Sequence, residues 1–171
     1  MSSGLSATVD PIKLADARAH ISGKLPLKTM GRLRVLCLDT EAQARVSLHF
    51  ERSSDQGLRR MHGRISVRLH VACQRCLERM TLVLKAEPSL IVVKAGEHTD
   101  LLEHETEVLV ADKPVALSKI VEDELLLAMP MIPMHDVSEC PAAAHMAAQR
   151  NSDQTPANPF SVLGRLKQIR K

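Results

Sequence analysis

Apolar and polar side chains alternate with a period of two along most of residues 43–87 of this 171-residue chain. The alternation runs through residues 43–51, 60–71 and 80–87, and a loop at 53–57 separates the first two segments. A period of two buries one set of side chains against a core and leaves the other set in water. Short turns between such segments favour antiparallel pairing, so the pattern predicts a sheet built from consecutive hairpins.

Helix signals flank this region on both sides. A helix is predicted over residues 11–22, after an Asp-Pro start, and a short strand over residues 33–38. The main helix is predicted over residues 118–129, because Pro130 cannot continue it. The predicted fold is therefore α+β: a twisted, partly wrapped antiparallel sheet of about five strands, covered by one main helix, with an N-terminal helix and a C-terminal tail.

The composition along the chain predicts one domain with appended segments. We expect a flexible N-terminus at residues 1–10, a single α+β domain at 11–141, a linker at 142–157 and a basic segment at 158–171. The linker is assigned from its Asn, Ser, Asp, Gln, Thr and Pro residues at 151–156.

The composition also excludes several classes of protein. The chain has two Phe and no Trp or Tyr, which argues against nucleic-acid recognition by a platform of stacked aromatic rings. Four Cys are too few for a disulfide scaffold, and no apolar run reaches the roughly 18 residues of a membrane span. Residues 1–10 have no features of a secretory signal. These observations predict a cytoplasmic protein with reduced thiols and no membrane partner.

Charge is distributed unevenly along the sequence. Residues 1–85 hold 15 Lys and Arg against 7 Asp and Glu, whereas residues 86–157 hold 4 against 13. Residues 158–171 hold 4 basic residues and no acidic ones. This asymmetry favours one surface that faces a polyanion and another that repels it or meets a basic partner. The alternative is that the two parts pair with each other within the fold.

The outward side chains of the 60–71 segment form a basic row without an acidic member. The row consists of Arg60, His62, Arg64, Arg68 and His70. Side chains on one face of a strand are about 6.5–7 Å apart, a spacing comparable to that of phosphates along one strand of nucleic acid. The row is therefore a candidate RNA-binding face that contacts the backbone without reading bases. The alternative is an ordinary solvated sheet face.

The basic segment at 158–171 is a second candidate for RNA binding. Its cations are Arg165, Lys167, Arg170 and Lys171. Asn158 and Pro159 can begin a short helix, in which Phe160, Leu163 and Leu166 form an apolar anchor. Because an isolated helix of this length is marginal in water, we expect the segment to order on a partner. The alternative is that it packs on its own domain.

The cysteines and one histidine suggest a metal site. Cys73 and Cys76 form a CxxC pair at a strand end, and His135 and Cys140 lie about 60 residues later. Three thiolates and one imidazole form the ligand set of a closed tetrahedral zinc site. The alternatives are ordinary thiols in a turn or a redox pair, and the latter lacks the βαβ context of a thioredoxin-like motif.

One carboxylate lies on the apolar side of the predicted main helix. Glu124 has apolar neighbours three and four positions away, while Glu122 and Asp123 fall outside that arc. A buried carboxylate needs a cation or several donors, and Arg75 and Arg79 are the candidate partners. We interpret Glu124 and Arg75 as structural residues. One acid with no second acid or nucleophile is not an acid–base site, and the sequence has no phosphate-binding loop, nucleophile elbow or HExxH motif.

Several of these motifs together resemble the YceD family, the large ribosomal RNA subunit accumulation proteins of bacteria. The resemblance rests on residues 73–77 (CQRCL), 121–130 (VEDELLLAMP), 133–135 (PMH), Cys140 and 158–163 (NPFSVL). It implies a non-enzymatic role in the synthesis, processing or stability of 23S rRNA and in large-subunit assembly, with no small-molecule substrate. The partners would be 23S rRNA or its precursor and large-subunit ribosomal proteins. The alternative is an adaptor whose acidic 97–124 region binds a basic ribosomal protein without touching RNA.

Overall fold

The computed structural model of the protein describes residues 5–53, 57–96 and 107–143. The chain divides into two compact units, Met1–Met134 and His135–Lys171. The helices and strands named below belong to the first unit. In the described part of the second unit, residues 135–143, the Glu139 amide closes a turn by donating to the Asp136 carbonyl at 3.1 Å.

The period-two alternation forms the centre of the main sheet. Its three segments are β3 (Gln43–Arg52), β4 (Arg59–Ala72) and β5 (Arg79–Ala86). Each strand pairs antiparallel with the next, so that Val46, for example, lies opposite Ile65. The apolar set faces the core as predicted, including Val46, Leu48, Phe50, Met61, Ile65, Val67, Leu69 and Val71.

The N-terminal helix is shorter than predicted. Helix α1 is Pro11–Asp16, the backbone turns at Arg18 with a φ of 50°, and strand β2 (His20–Pro26) then pairs antiparallel with β3. The prediction of helix over residues 11–22 was therefore wrong in its second half. Pairing with the edge of β3 satisfies the backbone hydrogen-bonding groups of β2. Long-range pairing of this kind overrides the local helical propensity of these residues.

The short strand predicted at residues 33–38 is also wrong, because helix α2 (Gly31–Val35) occupies this part of the chain. The side chain of Glu122 accepts hydrogen bonds from the backbone amides of Arg32 (2.6 Å) and Leu33 (3.1 Å) at the start of α2. Amides in the first turn of a helix have no partner within the helix. A cap supplied about 90 residues away is not visible in the local sequence pattern.

Strand β4 is long enough to pair with two strands along one edge. Its first part pairs with β6 (Ser89–Val93) and its last part with β5. Beyond β6, strand β7 (Glu107–Val110) pairs in the parallel direction. The sheet is thus mixed rather than wholly antiparallel as predicted, since the long connection from 94 to 106 permits the crossover that parallel pairing requires. It remains open, with β2 and β7 at its ends.

One main helix, α3 (Leu117–Leu127), packs on β4 and β5 and buries Leu117, Val121 and Leu125. Just before it, strand β8 (Val115–Ala116) pairs with β1 (Thr8–Val9), which lies in the predicted flexible N-terminus. The α+β class with one main helix is therefore confirmed. Among the described residues, no helix has the length and apolar character needed to cross a membrane.

Candidate nucleic-acid interface and metal cluster

The outer face of β4, turned away from the core, carries the five basic residues that the sequence grouped together. Arg60, Arg64 and Arg68 are exposed, and His62 and His70 are partly buried. The intervening residues of the strand other than Gly63, such as Leu69, are buried. The alternation predicted for this strand therefore holds along its length.

Neighbouring strands extend this basic row across the sheet. The register places Lys24 of β2 beside Arg45 of β3, and Arg45 beside Ser66 of β4, which in turn lies beside Lys85 of β5. All three cations are exposed. The sequence pattern does not identify them as members of one surface, because a period of two shows which side a residue faces but not which residue lies opposite it.

Acidic residues neutralise part of this surface. The Arg64 guanidinium lies 3.4 Å from the Glu87 carboxylate, and the His62 ring lies 3.7 Å from the Glu51 carboxylate. The His70 ring is held more closely, since its Nδ1 atom lies 2.6 Å from the Asp39 carboxylate.

Four of the cations that remain available lie around one shallow depression. Among the described residues, Lys24, Arg45, Arg68 and Lys85 form no ion pair. The depression has a volume of about 480 Å³ and is lined by Gln43, Arg45, Ser66, Val67, Arg68 and Val83. Cations spread over several strands around an open depression suit a polyanionic chain better than a small ligand, which prefers an enclosed and mostly apolar pocket.

The CxxC pair lies in the turn that joins β4 to β5. The turn is closed by two backbone hydrogen bonds, from the Cys73 amide to Glu78 (2.9 Å) and from the Leu77 amide to Cys73 (2.8 Å). Leu77 has a φ of 63°, and the amide of Arg75 donates to the Cys73 sulfur at 3.4 Å. An amide that donates to sulfur stabilises the thiolate form, which is the form that binds metals.

The chain that leaves α3 returns to this turn. The amide of Gln74 donates to the Pro133 carbonyl at 2.8 Å, and the Arg75 guanidinium lies 3.7 Å from the Met134 sulfur. His135 follows directly in the sequence. These contacts tie the segment before His135 to the CxxC pair.

The four predicted ligands form one close group. The potential ligand atoms of Cys73, Cys76, His135 and Cys140 all lie within 4.8 Å of one another. Two sulfurs bound to the same zinc ion are about 3.8 Å apart, given a zinc–sulfur distance of about 2.3 Å. Cys73 and Cys140 are buried, and Cys76 and His135 are partly exposed. This group could bind a metal.

Two carboxylates of α3 are buried rather than one. Glu122, predicted to lie outside the apolar arc, is 7% exposed and also accepts from the Arg32 guanidinium at 3.1 and 3.2 Å. Glu124 is 9% exposed, and within the described part of the chain its carboxylate forms no hydrogen bond or ion pair. Burial, together with the negative charges of Glu107 and Asp123, raises the pKa of Glu124.

Neither cation suggested as a partner is seen to pair with Glu124. The Arg79 guanidinium instead lies 2.8 Å from the Asp39 carboxylate, and Arg75 lies in the cysteine turn. Residues 97–106 of the acidic region, most of the linker 142–157 and the whole segment 158–171 lie outside the described residues, including Arg165, Lys167, Arg170 and Lys171.

The fold and these groups define an α+β protein with one cationic sheet face and a Cys₃His group that could bind a metal. The model of the family described as large ribosomal RNA subunit accumulation protein YceD matches residues 61–167. A protein of that name from Haemophilus influenzae is 32% identical over 169 residues, covering 96% of this chain and 97% of its own length. The chain belongs to the YceD family. No solved structure matches it.

Proposed function

We propose that this protein is a non-enzymatic cytoplasmic factor that supports accumulation of the large ribosomal RNA subunit by binding 23S rRNA or its precursor. The name of the Haemophilus relative supports the process. The observation that supports direct RNA binding is a group of exposed cations on the outer sheet face that form no ion pair with any described residue: Lys24, Arg45, Arg68 and Lys85. Large-subunit ribosomal proteins are the other expected partners.

The geometry of this face suits contact with the RNA backbone. Neighbouring strands are about 4.8 Å apart, and outward residues along one strand are about 6.5–7 Å apart, so the cations form a two-dimensional array. Such an array can neutralise several phosphates at once and release the counterions bound to them. Phosphate contacts position an RNA without specifying its sequence, so we expect strong salt dependence and weak sequence preference from these cations.

The test is the affinity for RNA measured at several salt concentrations. In the triple variant Arg45→Gln, Arg68→Gln, Lys85→Gln, we expect binding to fall by at least tenfold. The slope of log affinity against log salt concentration should become shallower by about 0.7 per lost phosphate contact. The matched control neutralises three exposed cations that lie on helices rather than on the sheet, Lys13 of α1, Arg34 of α2 and Lys119 of α3, also to Gln. An equal loss of affinity in both variants would show that only net charge matters and would contradict the proposed face.

We further propose that the Cys₃His group binds zinc and has a structural role. Three sulfurs and one imidazole nitrogen match the donor set of closed zinc sites, in which all four ligands come from the protein. Bound zinc would hold Cys73, Cys76, His135 and Cys140 together and cross-link two distant parts of the chain. Elemental analysis of untagged protein should find about one zinc per chain, and less than about a tenth of that amount would contradict the proposal.

The adaptor alternative is not favoured by the structure. Two of its acidic residues, Glu122 and Asp123, already pair with Arg32, and the first of them is buried. An adaptor would bind a basic ribosomal protein with the same affinity before and after RNA is removed by nuclease. The proposed function predicts that nuclease treatment releases most of the associated ribosomal protein.

A further inference from the structure

Three histidines from adjacent strands stack on the outer sheet face. His20 of β2, His49 of β3 and His62 of β4 lie opposite one another in the register. The ring centres of His20 and His49 are 4.1 Å apart with an angle of 13° between the ring planes. The corresponding values for His49 and His62 are 5.5 Å and 16°. These separations and angles are typical of stacked aromatic rings.

A cavity of about 440 Å³ opens beside this stack. It is lined by Ser47, His49, His62, Gly63, Arg64, Glu87 and Pro88. The absence of a side chain at Gly63 is required here, since a Cβ atom would lie 2.1 Å from the Ser47 carbonyl oxygen. The two strands therefore approach closely at Gly63, and the side chains of His62 and Pro88 border the space above. The volume lies within the range of small-ligand pockets.

The polar groups of the cavity suit a base better than a phosphate. The Glu87 carboxylate repels phosphate but accepts hydrogen bonds from the amino groups of a base. Arg64, beside Glu87, is well exposed and can reach a phosphate outside the cavity. Among the described residues, the His62 Nδ1 atom is buried without a hydrogen-bond partner and lies 3.7 Å from the Glu51 carboxylate. A ligand in the cavity would therefore contact other atoms of the His62 ring.

We propose that this cavity binds one unpaired nucleobase of RNA, which packs against His62 while the surrounding cations hold the backbone. This inference rests on the proposed RNA-binding function and makes it more specific, because a base can enter only where the RNA is single-stranded. The scarcity of Phe, Tyr and Trp argued against an aromatic platform, but three imidazoles brought together by strand register supply one. The protein should therefore prefer unpaired RNA to a duplex.

The probe is a short oligouridine with one central 2-aminopurine, compared with a hairpin of the same length in which the 2-aminopurine is paired. Stacking changes the fluorescence of 2-aminopurine, so binding of the single strand should change its emission. We expect the single strand to bind about tenfold more tightly than the hairpin. In the His62→Ala variant, this preference and the fluorescence change should be lost.

Two further variants separate stacking from a general loss of structure. His62→Phe keeps a flat ring and should retain the preference even though it cannot be protonated. Lys119→Gln changes an exposed residue of α3, outside the stack, and should also leave the preference intact. If His62→Ala does not fold, a loss of preference in His62→Gln but not in His62→Phe supports the same conclusion.

The results distinguish this inference from the function on which it rests. If the wild-type protein binds neither RNA, the proposed RNA-binding function fails together with the base pocket. If it binds both RNAs equally and His62→Ala changes nothing, the base pocket is wrong and backbone binding stands. If His62→Phe loses the preference as fully as His62→Ala does, stacking is not its cause and the inference is overturned.

Discussion

The outer sheet face and the cysteine turn both depend on β4, but they are built in opposite ways. The face spreads its cations over four strands and leaves them exposed. At the turn, two cysteines and two ligand groups from the segment after α3 lie within 4.8 Å of one another, with two of the cysteines buried. Function distributed over many exposed groups tolerates single substitutions, whereas a compact group fails when one member is lost. Substitutions should therefore affect RNA affinity and stability separately.

The largest effect on stability should follow from the loss of one metal ligand. Cys73→Ser should abolish zinc binding and lower the free energy of unfolding by about 3 kcal/mol or more, because the metal links distant parts of the chain. Calorimetry and elemental analysis measure the two effects.

Cys37→Ser is the matched control for that experiment. Its sulfur donates to the Leu33 carbonyl at 3.3 Å, and burial raises the pKa of the thiol, which keeps it protonated. The control should retain zinc and most of its stability. If Cys73→Ser is as stable as Cys37→Ser, the turn does not need a metal. The proposed difference between a compact group that fails on losing one member and a tolerant outer face would then be wrong.

A smaller loss is expected in the core, where polar contacts are few but buried. Glu122→Ala removes the carboxylate that caps α2 and pairs with Arg32, and should cost about 2–3 kcal/mol as measured by denaturant unfolding. Asp123→Ala is the control, since Asp123 contacts the same guanidinium from a more exposed position. Equal losses in the two variants would mean that the cap contributes nothing beyond the surface ion pair.

Glu124→Gln should instead increase stability, by less than Glu122→Ala reduces it. Because the pKa of Glu124 is raised in the folded state, ionisation at neutral pH costs stability. The variant should therefore have a higher melting temperature than the wild-type protein at neutral pH. Its advantage should shrink as pH falls through the raised pKa and vanish below the ordinary carboxyl value of 4.5. A constant advantage at every pH would contradict burial as the cause.

The smallest effect on stability is expected from truncation after Thr155. If residues 158–171 form a docking segment, the melting temperature should stay within about 2 °C of the full chain, since no core contact is lost. RNA affinity should fall because four cations are removed. A large fall in melting temperature would mean that the segment packs on its own domain and contributes to the stability of the fold.

The sequence predicted those features that depend on local pattern. Period two placed Arg60, Arg64 and Arg68 on one face, and residue chemistry selected the four members of the Cys₃His group. It could not show that Lys24 lies beside Arg45, because strand register depends on pairing between distant segments. For the same reason the sequence pattern placed Glu122 outside the buried set. The apolar arc of α3 can be read from the sequence of that helix, but Glu122 is buried by its contacts with the start of α2, a distant segment.

Crosslinking in cells tests the central claim most directly. Ultraviolet light applied to living cells would trap the protein on its partners, and the attached RNA and crosslinked peptides would then be identified together. We predict large-subunit rRNA or its precursor joined to peptides from residues 43–52, 59–72 and 79–86, which hold β3, β4 and β5. Crosslinks to ribosomal proteins alone, with no RNA on these strands, would contradict the account.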